Sequence, residues 1–229
     1  YLQAAQGFRR GVANQTLPAP CLEDAADIGL ALQAVTDPDT VRNYELGFKS
    51  LLGGGRISLN MAVYRLEWND VPGTVLFPCN FSNTVNGGDA TGTGAELEMV
   101  GRLSEAWKVN LSASYNDLTY DDNVLPQIGD PGEQIAGSPA KNYSAGLEYG
   151  FEVNDAWPGS ARTDWAYVGE VRSELGAFPR SSFDTLNLRF GVVRNNLAVE
   201  LFGRNVTDER GISSVEPLPF GGDQTLIRP

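Results

Sequence analysis

The sequence predicts an all-β chain, an antiparallel meander that forms part of the wall of a transmembrane β-barrel. Three observations predict it. Apolar and polar residues alternate with period two through most of the chain, whereas helical periodicity is nearly absent. The alternating stretches run to about 11–14 residues, twice the ~5–6 of an ordinary globular strand. An apolar band ~25 Å tall, crossed at ~40° with ~3.3 Å per residue, needs ~10 residues per strand, so these lengths fit a membrane wall. The connections also alternate between short and long, as in a barrel with tight turns at one end and long loops at the other.

Strands are expected at about 1–8, 41–51, 56–70, 91–103, 107–120, 140–152, 160–173, 183–194 and 196–207, with a tenth beginning near Asp223. In the second, Tyr44, Leu46 and Phe48 alternate with Asn43, Glu45, Gly47 and Lys49. The third is less regular, because Ile57, Leu59, Met61 and Val63 give way to Tyr64, Leu66 and Trp68. Such a phase change indicates either a bulge or a strand that runs beyond the apolar layer. In the fourth, Ala95, Leu97, Met99 and Leu103 alternate with Glu96, Glu98 and Arg102. The fifth is the most regular: Trp107, Val109, Leu111, Ala113 and Tyr115 against Lys108, Asn110, Ser112, Ser114 and Asn116. Tyr143 to Val153 and Leu186 to Val192 repeat the phase at odd and even positions respectively. One face of each strand thus meets an apolar medium and the other a wet one.

The turns support the same layout. Gly53-Gly54-Gly55, Ser104-Glu105-Ala106, Asn154 to Gly159 and Asn195-Asn196 are the short connections, and Asn195-Asn196 suits a two-residue hairpin with positive φ. Between them lie longer segments at 71–90, 121–138, 174–182 and 208–222. Trp107, Phe151 and Trp157 cluster near the tight-turn end, and Tyr120, Tyr143, Tyr167 and Phe183 near the long-loop end, where aromatic girdles are expected. The long loops carry Glu23, Asp24, Asp27, Asp37, Asp39, Asp121, Asp122, Asp130, Glu133, Asp208 and Glu209, read first as solvating groups and otherwise as an attractor of cations.

Composition removes most other classes. With 17 Lys+Arg against 29 Asp+Glu in 229 residues, the net charge of -12 excludes a nucleic-acid surface. No histidine is present, which excludes a Ser-His-Asp triad and His-ligated zinc, and two cysteines cannot form a zinc cage. Glu96/Glu98 and Asp121/Asp122 lack partners or a calcium-loop pattern, and Gly92-Thr-Gly94 does not open a helix, so neither glycosidase, calcium nor phosphate chemistry follows. No enzymatic activity, cofactor or metal is expected.

Several blocks resemble one family. Asp37-Pro-Asp-Thr-Val-Arg-Asn-Tyr-Glu-Leu-Gly-Phe-Lys49, the glycine turn, Arg56 to Tyr64 and Trp68-Asn-Asp70 are similar to the C-terminal barrel half of TonB-dependent outer-membrane receptors. Gly92 to Glu98, Pro139 to Tyr143, Phe202-Gly-Arg-Asn-Val-Thr-Asp208 and Gly7 to Gly11 extend the resemblance in order along nearly the whole chain. It implies a 22-stranded barrel with an N-terminal plug that imports a scarce ligand (siderophore, vitamin, glycan or other nutrient) across the bacterial outer membrane. Residues 1–229 are then expected to be a C-terminal fragment of that barrel, with the plug, the first half of the barrel and the last strand lying outside it. The implied partners are TonB, met through the N-terminal part, the protein's own plug, a small-molecule ligand, and outer-membrane lipid and lipopolysaccharide. A passive porin and a soluble carbohydrate-binding β-sandwich are the alternative readings.

Cys21 and Cys79 fall in two long loops at one end, two strands apart, in a compartment that permits disulfides. They bridge each other or pair with cysteines of the missing half. Lys49, Asn110, Ser112, Asn116, Glu148, Arg162, Asp164, Glu170, Arg189, Glu200 and Arg204 are the candidates for facing the lumen, where the family's polar groups meet plug and solvent. Asn205 and Asp208 are expected to brace the start of the last long loop.

Overall fold

The computed structural model describes residues 1–172, 181–217 and 223–228. Its elements are β1 (Leu2–Arg9), α1 (Ala19–Asp27), β2 (Asp39–Leu52), β3 (Ile57–Asn69), β4 (Pro72–Leu76), β5 (Ser82–Asn86), β6 (Ala90–Arg102), β7 (Trp107–Tyr120), β8 (Lys141–Glu152), β9 (Pro158–Val168), β10 (Phe183–Arg194), β11 (Leu197–Gly203), β12 (Gly211–Pro217) and β13 (Asp223–Arg228). Nine strands form one antiparallel sheet in the order β1-β2-β3-β6-β7-β8-β9-β10-β11, a meander whose neighbours in space are neighbours in sequence apart from the inserted β4–β5 hairpin. Arg194 lies directly opposite Leu197, so Asn195-Asn196 is a two-residue hairpin, and Asn195 takes the positive φ of 49° that such a turn requires.

The wall strands match the expected spans closely, and the differences lie in the loops and at strand ends. The loop at 10–38 contains the helix α1, and the loop at 70–89 contains the β4–β5 hairpin. Strand β9 stops at Val168 and β11 at Gly203, each earlier than expected. The strand at Asp223 pairs with β12 in a separate hairpin and does not join the wall. Tyr120 is buried among loop residues, so it is no part of an aromatic girdle. The alternation signal cannot separate a wall strand from a loop hairpin, because both have period two.

In the wall, the outward face is apolar and uncovered. Leu2, Leu46 and Leu201 are 82%, 58% and 75% exposed, a degree that only lipid relieves. On β7 the outward run Trp107–Tyr115 spans nine residues, which rise about 23 Å at a ~40° tilt, close to the ~25 Å apolar band. Rings pair along its tight-turn border: Trp107–Tyr149 tilted at 4.6 Å and Phe151–Phe190 stacked at 5.3 Å. Tyr143 and Tyr167, with centroids 5.8 Å apart, occupy the other border.

Above that border the polarity of the two faces inverts. Arg65, Glu67, Thr91, Thr93, Asp117 and Thr119 now point outward by strand alternation, while Leu66, Trp68, Ala90, Leu118 and Tyr120 point inward. No register shift interrupts β3 against β2 or β6, so the phase change at Leu66 is not a bulge. The strand instead continues past the lipid layer, where water lies outside and folded loops lie inside. A nitroxide at Leu111 in the assembled receptor should relax with oxygen and one at Ser112 with a nickel chelate. At Asp117 the nickel chelate should prevail, and at Leu118 neither reagent should reach the label. Equal accessibility at neighbouring positions would contradict this two-solvent arrangement.

Candidate functional site

The buried core of the described residues is a cap over the inner face, not a layer under the sheet. It joins Leu17, Cys21 and Ala25, then Val71, Val75, Phe77 and Val85, to Ala90, Leu118 and Tyr120 of the wall, with Val124, Ile128 and Ile135 from the next loop. Helix α1 follows the extended N-cap Pro18, has Pro20 preset in its first turn, and buries Cys21 and Ala25, four residues apart on one face. Nine residues are too few for an isolated helix in water, so burial and cross-linking hold it. Cys21 and Cys79 are joined as a disulfide, with Cα atoms 5.5 Å apart, and Asp24 Oδ2 accepts from the backbone N–H of Cys79 at 3.0 Å. Asn14 clips the same two loops by accepting from Thr84 N–H at 2.9 Å and donating to Thr84 O at 2.8 Å and Gln33 O at 3.0 Å. Ile128 lies over Gly73 and Gly87, where any Cβ would collide with its side chain.

Arg9 and Trp68 meet at the base of the cap. The Arg9 guanidinium grips both oxygens of buried Asp39 at 2.9–3.0 Å and lies 5.3 Å over the Trp68 ring. Trp68 Nε1 donates to the same carboxylate at 2.8 Å. A cavity of about 270 Å³ opens between these residues and Gly73, Thr84, Tyr120 and Ile135. Nearby, Asp89 accepts from Asp70 N–H at 2.9 Å and from Asn123 Nδ2 at 2.9 Å. Burial, then Asp89, Asp37 and Asp39, push the Asp70 carboxyl above its ordinary range.

Below the cap, the inner face is a polar ladder across β7, β8 and β9. Lys108 Nζ meets Glu148 at 2.7 Å; Glu148 meets Arg162 at 3.4 Å; Arg162 binds Asp164 through two nitrogens, with Nε at 2.8 Å. Arg162 also donates to Asn110 Oδ1 at 2.9 Å. The ladder closes over Gly146, where a Cβ would strike both Asn110 and Asp164. Ser112 and Ser144 share a hydrogen bond of 2.8 Å, and Asn116 donates to Ser138 at 2.9 Å. Half-exposed ion pairs of this kind contribute ~0–1 kcal/mol each, so the ladder sets orientation more than stability.

The structure therefore brings Asn110, Glu148, Arg162 and Asp164 into one cluster, with Ser112 and Asn116 higher on the same face. Lys49 stands apart, 5.3 Å over the Tyr1 ring, and Arg189 pairs loosely with Glu200 at 3.8 Å. Arg204 lies past β11 over Phe202, and Glu170 lies past β9 in the loop, because both strands end early. Asn205 Oδ1 accepts from Glu209 N–H at 3.2 Å while its Nδ2 donates to Glu209 O at 2.8 Å; both Asn205 and Asp208 have positive φ. Lys108 was missing from the expected set although it shares the polar phase of β7. Arg9 and Trp68 were missing too, with the inward apolar shift at Leu66 as their signal, and Asp39, expected as a solvating loop acid, is instead a buried β2 residue held by Arg9.

This one-sheet wall with an apolar outer face, a polar inner face and loops folded over the inner rim defines a segment of an outer-membrane β-barrel. Residues 1–206 match the family described as TonB dependent receptor-like, beta-barrel, and the chain belongs to that family. It is 24% identical over 202 residues to the ferrioxamine B receptor of Salmonella typhimurium, covering 84% of this chain and 28% of that protein. It is 28% identical over 158 residues to the metal-pseudopaline receptor CntO of Pseudomonas aeruginosa, covering 66% of this chain and 21% of that protein. The ferric yersiniabactin uptake receptor FyuA from Yersinia pestis superposes with a TM-score of 0.77 at 15% identity, over 99% of this chain and 32% of FyuA. The chain thus spans less than a third of the length of these relatives.

Two outcomes follow from the cap. Closing a 58-residue separation removes ~4 kcal/mol of unfolded-state entropy, so Cys21→Ala should speed elastase nicking within 10–38 at least tenfold while the barrel keeps its heat-modifiable gel mobility. An unchanged nicking rate would show that packing alone holds the loops. For Asp70, a raised carboxyl means that the folded cap binds the proton more tightly than the unfolded loop. Its contribution is therefore lost as pH rises through the raised value. Asp70→Asn, which keeps the positive φ of 58°, should slow amide exchange across 70–89 at pH ~7 and make no difference near pH ~3, below the ordinary ~3.9. Faster exchange in the variant at neutral pH would reverse the argument.

Proposed function

We propose that this chain is the C-terminal part of the barrel domain of an active outer-membrane importer, and that the ligand is a scarce metal chelate. The remainder of the receptor would supply the plug, the other wall strands and the segment that contacts TonB. The observation that carries this reading is the cap: two loops cross-linked by Cys21–Cys79 are packed onto the inner rim of a polar wall. A pre-built roof over a wet lumen suits capture from dilute solution, since ordering the loops costs little at binding. The names of the relatives, receptors for ferrioxamine B, metal–pseudopaline and ferric yersiniabactin, favour a metal chelate over a vitamin or glycan.

No bond is made or broken in this mechanism. The ligand is held under the loops near Arg9, Trp68 and Tyr120, and on displacement of the plug it passes down the Asn110–Arg162 ladder. Exchangeable polar groups along the wall replace its water contacts stepwise, so no single station binds it too tightly to leave. A passive porin needs no pinned roof. A carbohydrate-binding sandwich needs a second sheet on the apolar face, and none covers it among the described residues.

Deleting the gene should abolish uptake of one iron-loaded hydroxamate or carboxylate chelate under iron limitation, and a protonophore or loss of TonB should abolish it equally. Uptake that persists without TonB would favour the porin, and wild-type growth on every chelate tested would remove the metal-chelate reading.

A further inference from the structure

We infer that the lipid-facing wall carries a site for one anionic phospholipid of the periplasmic leaflet, its acyl chain lying along β9 and its phosphate at Arg194. On β9 the outward residues Ala161 and Thr163 are small, whereas the flanking strands present Leu147 and Tyr149 on one side and Leu188 and Phe190 on the other. The result is an open apolar groove of about 720 Å³ that Trp107 and Leu201 extend sideways. Trp165 stands at its upper end by strand alternation. At its lower end the Phe151 ring fills the space above Gly159 and stacks on Phe190 at 5.3 Å, which makes a smooth sill rather than a gap.

Below the sill, the outward Arg194 lies 5.3 Å over the Trp157 ring at the tight-turn end, which faces the periplasm in this layout. Arg194 makes no ion pair among the described residues. The acids around the contact do not oppose it: Glu200, nearest to Arg194 in sequence, faces inward and pairs with Arg189, Asp155 is exposed in the turn before Trp157, and Glu152 points to the inner face by alternation. From Trp157 to Ala161 is four residues, or ~13 Å along the strand, within the ~15 Å that half a ~30 Å hydrocarbon layer allows an acyl chain. A guanidinium braced on an indole at headgroup level, above which an acyl-sized groove begins, fits phosphate with a diacyl tail. Lipopolysaccharide occupies the opposite leaflet and does not reach this end.

The site is independent of the transported ligand, so its failure would leave the importer reading untouched. The test uses the whole receptor in nanodiscs of equal phosphatidylglycerol and phosphatidylethanolamine, ejected intact for native mass spectrometry. Wild type should retain phosphatidylglycerol about fivefold over phosphatidylethanolamine, the share of one basic side chain near a charged surface. Arg194→Gln should bring that ratio near one, and Arg194→Lys should restore part of it. Ala161→Phe should reduce retention of both lipids at least threefold, with Thr163→Leu as the second filler if the first does not assemble; heat-modifiable gel mobility checks assembly. A wild-type ratio near one, a ratio unmoved by Arg194→Gln, or undiminished retention in an assembled filler variant would overturn the proposal.

Discussion

Hydrocarbon offers no partner to a backbone N–H or C=O, and each unpaired group there costs several kcal/mol. A chain that crosses such a layer as strands must pair every strand with a neighbour, which is why the nine wall strands form a single uninterrupted meander. The same constraint assigns each side chain by parity. Outward positions lose nothing by being apolar, and inward positions must satisfy one another or water. The Lys108–Glu148–Arg162–Asp164 ladder is the consequence on the wet side, and the Trp107–Tyr149 and Phe151–Phe190 ring pairs are its consequence at the lipid border.

Where the hydrocarbon ends, the rule reverses rather than lapses. Beyond Val63 and Tyr115, the outer face meets water and carries Arg65, Glu67 and Asp117, while the inner face receives Leu66, Trp68, Leu118 and Tyr120 beneath the folded loops. The protein's hydrophobic core therefore sits at the rim, in a unit built from three loops and the strand ends below them. A small core of this kind is marginal by itself. The disulfide, the Asn14 clip and the Arg9–Asp39–Trp68 contact hold it in place. Membership of the TonB-dependent receptor family gives this arrangement a setting: a cross-linked loop assembly on the rim of a barrel wall with a polar inner face.

Parity made the wall legible without coordinates. From Trp107 to Tyr115 the alternation is unbroken, and the sense of each residue on β7 follows from the first. Asn195-Asn196 between two alternating runs specified its own hairpin for the same local reason. The candidates Asn110, Glu148, Arg162 and Asp164 could be named as inward, but their meeting across three strands depends on register, which places Gly146 between Asn110 and Asp164 and leaves room there for Arg162. Alternation says which face a residue takes and is silent on its height.

What the amino-acid order determined unaided was the two-faced sheet, its strand lengths and its tight turns, since these rest on interactions within a few residues and on which medium each face meets. Tertiary structure decided the rest. Helix α1 is too short for its periodicity to register, the β4–β5 hairpin reads like any other pair of short strands, and Cys21 finds Cys79 only because two loops fold inward over the same rim. Those outcomes depend on contacts between residues up to 70 positions apart, as in the Asn14–Thr84 clip, and a local pattern carries no record of such distances.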